Sequence, residues 1–106
     1  MNPASVLGFA QAAGKLASGE AACERAVRRG QARLVLVAAD AGRTTAKRMA
    51  RLAEDYRVPC LRWGEKDSLG AWIGERPRAV IAVCDSRFAR MLRSAVAAGG
   101  DEALSD

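Results

Sequence analysis

The sequence predicts an α/β domain: a three-layer α/β/α sandwich. Two near-continuous apolar runs, Arg33–Ala39 (RLVLVAA) and Ala79–Cys84 (AVIAVC), read as strands covered on both faces. Between and after them stand segments with helical periodicity, clearest in Phe88, Met91, Leu92, Ala95 and Val96. Half of the 106 residues are apolar and few are aromatic, so a single core of Val, Leu, Ile, Met and Ala is expected. Residues 1–98 read as one domain and residues 99–106 (GGDEALSD) as a flexible acidic tail.

The elements follow in order. Asn2 caps a first helix with Pro3 at its first position; Gly14 ends it, and Val6, Leu7, Ala10 and Ala13 point inward. Residues 15–18 form a short extended link. Ser18 is the expected N-cap of a second helix, with Cys23, Ala26 and Val27 inward and Gly30 just past its end. After the first buried strand, Asp40-Ala41-Gly42 turns the chain into a third helix that starts at Thr44 or Thr45. Its core side is Ala46, Met49, Ala53 and Tyr56, and Arg43, Lys47, Arg48 and Arg51 face outward. Val58–Trp63 is a shorter strand with Pro59 near its start, followed by a short helix over Lys66–Ile73 that Gly74 stops. The second buried strand leads to a last helix capped by Asp85 and ended at Gly99-Gly100.

Charge narrows the partner class. The net charge is +5, but the last eight residues hold three acids and no base, which leaves +8 on residues 1–98. A body this basic, with arginine far outnumbering lysine, favours a polyanion. An arginine- and alanine-rich surface that is merely solvated is the alternative. No apolar run approaches the roughly 18–20 residues that span a bilayer, so no membrane partner is expected. The N-terminus lacks a basic region ahead of its apolar part and reads as a helix rather than a secretion signal. Cys23, Cys60 and Cys84, odd in number and widely spaced, read as reduced thiols of a cytoplasmic protein, each a small core residue.

Catalysis finds little support. Without histidine there is no imidazole base, His-based triad or His metal site, and no glycine-rich nucleotide loop is present. Asp40 and Asp85, each after a buried strand, are the candidates for holding a magnesium ion. Helix capping by Asp85 and a local turn at Asp40 account for them more simply. No cofactor is expected.

For binding, positions 21, 25 and 29 share one stripe of the second helix, flanked by Arg28. Lys15 precedes that helix, and Ser18-Gly19 lets another backbone approach where no Cβ intervenes. Free N–H groups and the helix dipole at such a start favour phosphate. A solvated face with one Glu24–Arg28 pair is the competing reading. The loop Gly74–Arg78 (GERPR) is a second basic element, in which Pro77 should hold Arg76 and Arg78 outward; an ordinary polar loop is its alternative.

The order LGFAQAAGKLASGEAACERAVRRGQARLVLVAADAGRTTAKRM, then VP, SLGAWIG and AVIAVCDSRFARML, resembles the kink-turn RNA-binding ribosomal-protein superfamily of L-seven-Ae / L-thirty-e type. The likeness is nearest to its bacterial YlxQ-like branch and runs from about Val6 to Val96. It implies a mixed four-stranded sheet and binding to a bent RNA helix–internal loop–helix whose sheared G·A pairs expose base edges. Family members read guanines with an Asn-Glu pair and place a Lys three residues later. Those positions here are Ala21, Ala22 and Arg25, so the cation is kept in kind and both base-reading side chains are replaced. The resemblance leaves Ser18, Gly19 and Glu20 beside the internal loop. It maps further contacts to the turn Asp40–Gly42 and to Lys66, Arg76 and Arg78, which suit phosphates, as do Lys15, Arg25 and Arg29. It implies a non-catalytic, monomeric RNA-binding protein of ribosomal or regulatory RNA. The alternative is a protein-interaction module of ribosome or transcription complexes that has lost kink-turn specificity.

Overall fold

The computed structural model describes residues 1–105, with side chains through Gly99. Five helices and four strands are present among them: α1 (Pro3–Ala12), β1 (Leu16–Ser18), α2 (Glu20–Arg28), β2 (Leu34–Val37), α3 (Arg43–Asp55), β3 (Cys60–Arg62), α4 (Lys66–Trp72), β4 (Val80–Val83) and α5 (Ser86–Ser105). The sheet order is β1-β4-β2-β3. β4 pairs antiparallel with both β1 and β2, and β2 pairs parallel with β3, so the sheet is mixed. α2 and α3 cover one face; on the other, α1 packs between α4 and α5. The expected three-layer sandwich is the observed one.

Every residue of β2 and β4 is buried, as their unbroken apolar runs require. Leu34, Leu36 and Ile81 from the sheet meet Leu7, Met49, Leu69 and Leu92 from the helices, all with essentially no exposed surface. Each such side chain contributes about 1.5–3 kcal/mol of burial free energy. Asn2 caps α1 by accepting from the Ser5 N–H at 2.9 Å, and Asp85 caps α5 by accepting from the Phe88 N–H at 3.0 Å. α2 ends on Gly30, whose φ of +73° lets the N–H groups of Gly30 and Gln31 close on the carbonyls of Val27 and Ala26 at 3.0 and 2.9 Å.

Several local expectations are corrected. Residues 16–18 are not a link but an edge strand; three residues are too few to show a period. α2 is capped by Gly19 rather than Ser18, and α3 begins at Arg43 after Gly42, neither with a side-chain cap. Ala13 and Tyr56 are exposed, because each sits at a helix C-cap beyond the last buried turn, and Leu52 is buried in α3 instead; Cys60 is exposed because it lies on the edge strand β3 rather than in the core. The helical backbone of α5 continues past Gly99, which does not take the left-handed φ of a helix stop. The expected acidic tail falls almost wholly outside the described side chains.

Candidate nucleic-acid interface

Because β4 runs against the other three strands, the ends of β1, β2 and β3 meet the start of β4. One end of the sheet therefore gathers Ser18-Gly19, the turn Asp40–Gly42, residues 63–65 and the loop Gly74–Arg78. α2, α3 and α4 all begin there. Gly19 has φ +91° and ψ +156°, a conformation essentially confined to glycine, and donates its N–H to the Val80 carbonyl at 2.9 Å. Nothing lies within 4 Å of where a Cβ would stand on Gly19 or Gly42, so both peptides are open to an approaching backbone. The first N–H groups of α2 and α3 have no capping side chain and leave a positive end. At α4 the Asp40 carboxylate accepts from the Lys66 N–H at 2.8 Å, joining the β2–α3 turn to the next helix.

The loop before β4 is tied to this end. Arg78 donates from Nε to the Ser18 hydroxyl at 3.1 Å, pairs with Glu75 at 3.4 Å, and sends its backbone N–H to the Lys66 carbonyl at 3.0 Å. It is half-buried and pinned, which corrects the expectation that Pro77 holds it outward; Arg76 does stand exposed. Gly70 makes the arrangement possible, since a Cβ there would stand 2.1 Å from the Arg76 carbonyl oxygen. Glu20 is drawn to Arg48 of α3 at 2.5 Å.

Lys15, Arg25 and Arg29 lie apart from this cluster. Lys15 precedes β1 at the opposite end of the sheet, where its carbonyl accepts from the Cys84 N–H at 2.8 Å. It is therefore not beside the start of α2, as sequence proximity suggested. It lines a shallow concavity between β1 and the second half of α2, together with Ala22, Arg25, Arg29 and Cys84. Arg25 and Arg29 are exposed and make no ion pair among the described residues, whereas Arg28 is held by Glu24 at 3.0 Å and lies 6.0 Å from the Tyr56 ring. Ala21 is exposed and Ala22 half-buried on the same helix. The expected residues thus form two adjoining groups linked by α2: Ser18–Ala22 with Lys66, Arg76 and Arg78, and Lys15 with Arg25 and Arg29.

The aspartate pair is excluded by topology. β2 and β4 are antiparallel, so Asp40 and Asp85 stand at opposite ends of the sheet and cannot share an ion. Both are helix caps, and the Phe88 N–H holds the Asp85 carboxyl below its ordinary pKa. No group of three or more His, Cys, Asp or Glu side chains positioned for a metal occurs among the described residues. Sequence reasoning missed Asp40 as the cap of α4 and Arg48 as the partner of Glu20. Neither interaction leaves a local signal, because the partners are 26 and 28 positions apart.

Fold and site together define a small basic α/β/α domain that gathers open helix starts and cations, rather than a catalytic constellation, at one end of its sheet. The chain belongs to the ribosomal protein L7Ae/L30e/S12e/Gadd45 family, whose sequence model matches residues 1–92. It is a non-enzymatic member of that family. It is 38% identical over 89 residues to the RNA-binding protein YlxQ of Bacillus subtilis (strain 168), covering 84% of this chain and 89% of that one. It is 32% identical over 92 residues to RNA-binding protein YlxQ of Enterococcus faecium, covering 87% and 88%. Its fold matches a Bacillus halodurans protein of unknown function with TM-score 0.85 and 36% identity, over 89% of this chain and 95% of that one. It also matches the Giardia lamblia 15.5kD RNA binding protein with TM-score 0.72 and 23% identity, over 96% and 84%, a likeness of fold alone. No helix among the described residues is long and apolar enough to cross a membrane.

Proposed function

We propose that this protein is a cytoplasmic, monomeric, non-catalytic binder of structured ribosomal or regulatory RNA, selecting kink-turn-like bends by shape and backbone charge. The observation that carries the reading is the meeting of the open Gly19 start of α2 with Lys66, Arg76 and the Arg78–Ser18 strut at one end of the sheet. The relatives named as RNA-binding proteins support it. The free backbone amides of Glu20, Ala21 and Ala22 approach the internal loop, past the open Cα of Gly19. Lys66 and Arg76 meet phosphates on one side of α2, and Lys15, Arg25 and Arg29 meet them on the other. Arg78 holds Ser18 and the loop in place. Alanine at positions 21 and 22 neither donates to nor accepts from a base edge, so discrimination rests on the bend itself.

The test is titration with a kink-turn RNA and with a control lacking its G·A pairs. Binding to the kink-turn at least about tenfold tighter is expected, with an affinity that falls as salt rises. Equal affinity for both RNAs would remove motif recognition, and a flat salt dependence would remove the phosphate contacts. The loss of both base-reading side chains favours one second reading, a protein-interaction module in ribosome or transcription complexes. Weak, indiscriminate RNA binding together with nuclease-resistant association with a protein would establish it.

A further inference from the structure

On the far side of α3, away from α2, a groove of about 590 Å³ separates that helix from the edge strand β3. Val37, Ala41, Ala46 and Ala50 give it an apolar lining, and Arg43, Lys47 and Arg62 supply its charge. Those three cations are exposed and make no ion pair among the described residues, and no carboxylate lines the groove.

The strand beside it is half satisfied. β3 is the last strand of the sheet and pairs only with β2. The Pro59 carbonyl and the Trp63 N–H bond to Val35 and Val37, both at 2.9 Å, so odd-numbered peptides face β2. By the alternation of a strand, those of Cys60 and Arg62 point away from the sheet. The side chains of Cys60 and Arg62 line the groove, and Arg62 donates to the Ala39 carbonyl at 3.0 Å, which fixes its guanidinium at one end. Phosphate would use the cations alone. The apolar lining and the open peptide edge call for a ligand with aliphatic side chains and backbone N–H groups.

We propose that the α3–β3 groove docks an extended acidic segment of a protein partner, which adds to the free edge of β3. On its groove-facing side an aliphatic residue packs toward Ala46 and Ala50 of α3, and carboxylates two positions before and after it meet Arg43, Lys47 and Arg62. Main-chain bonds to β3 hold the segment, and the charge pattern chooses it.

The probe is an acetylated peptide with the core Glu-Thr-Leu-Thr-Glu, titrated into the isotope-labelled full chain while backbone amides are followed by NMR. The amides of Cys60 and Arg62 should shift and become protected from exchange. Lys47→Glu and Arg43→Glu should each weaken binding by about tenfold. Arg43→Glu places an acid in the first turn of α3, which the helix dipole favours, so its loss of binding is not a loss of folding. Methylating the interior amides of the peptide should abolish the shifts. The proposal is overturned if the peptide leaves Cys60 and Arg62 unmoved. It is equally overturned if a Lys-Thr-Leu-Thr-Lys peptide or the methylated peptide binds as well, or if only RNA perturbs these amides.

Discussion

Arg78 and Ser18 stand 60 positions apart in the chain and 3.1 Å apart in the fold, the guanidinium Nε donating to the hydroxyl. This bond ties the loop before β4 to the residue that precedes the open glycine of α2. Ser18→Ala leaves the guanidinium without that acceptor. It should cost about 1 kcal/mol in urea unfolding and weaken kink-turn RNA binding by roughly threefold. Wild-type affinity in this variant would mean that the strut is not needed for binding.

Two glycines inside helices should answer opposite ways to alanine. A Cβ on Gly70 would meet the Arg76 carbonyl oxygen at 2.1 Å, whereas on Gly8 it would meet the Trp72 carbonyl oxygen at an ordinary 3.7 Å. Gly70→Ala should therefore displace the Gly74–Arg78 loop, cost about 1–3 kcal/mol and weaken RNA binding. Gly8→Ala should stabilise α1 by about 0.5–1 kcal/mol and leave binding unchanged. Denaturant midpoints and RNA titrations on both variants check the pair.

Arg25 is exposed, makes no ion pair among the described residues and shares a concavity with Lys15 and Arg29. Arg25→Glu should lower RNA affinity and reduce the slope of log K against log salt by about one for each phosphate left unneutralised. Arg28→Ala is the control, since Arg28 is already held by Glu24 and Tyr56. Equal effects of the two substitutions would argue against a defined phosphate path along α2.

Stability should fall at both ends of the pH scale for separate reasons. The Phe88 N–H lowers the folded pKa of Asp85 below its ordinary 3.8, so its contribution is present above that value and is lost as pH falls through the depressed one. Asp85→Asn keeps a capping oxygen and should shrink the acid-side loss. Burial pushes the Cys23 thiol up to about 12 from an ordinary 9.0, so its contribution is complete below 9.0 and drains away as pH rises toward 12. Cys23→Ala should flatten the alkaline limb in unfolding curves measured across that range.

The layers of the sandwich were legible because β2 and β4 are apolar on both faces and α5 keeps a strict helical period. β1 was not, because three residues carry no period and its strand character comes from Val83 and Ile81 across the ladder. Ser18 has the chemistry of a cap, yet a distant arginine claims its hydroxyl and glycine takes the cap position. Lys15 is close to Gly19 in sequence, but an extended strand between them carries it to the opposite end of the sheet. The direction of β4 relative to β2 decides that Asp40 and Asp85 never meet, and nothing local to either residue encodes it. The candidate site was therefore readable as a set of residue types on α2 and the late loop. Its division into two groups was not.

Amide shift mapping of the labelled protein on addition of a kink-turn RNA shows directly which surface the RNA covers. Gly19, Glu20, Ala21, Ala22, Gly42, Lys66 and Arg76 should move together at one end of the sheet. Residues on the opposite face, such as Gln11 in α1 and Ser94 in α5, should stay in place. Shifts confined to the α1–α5 face, or no shifts at an RNA concentration that saturates binding, would contradict this placement of the RNA.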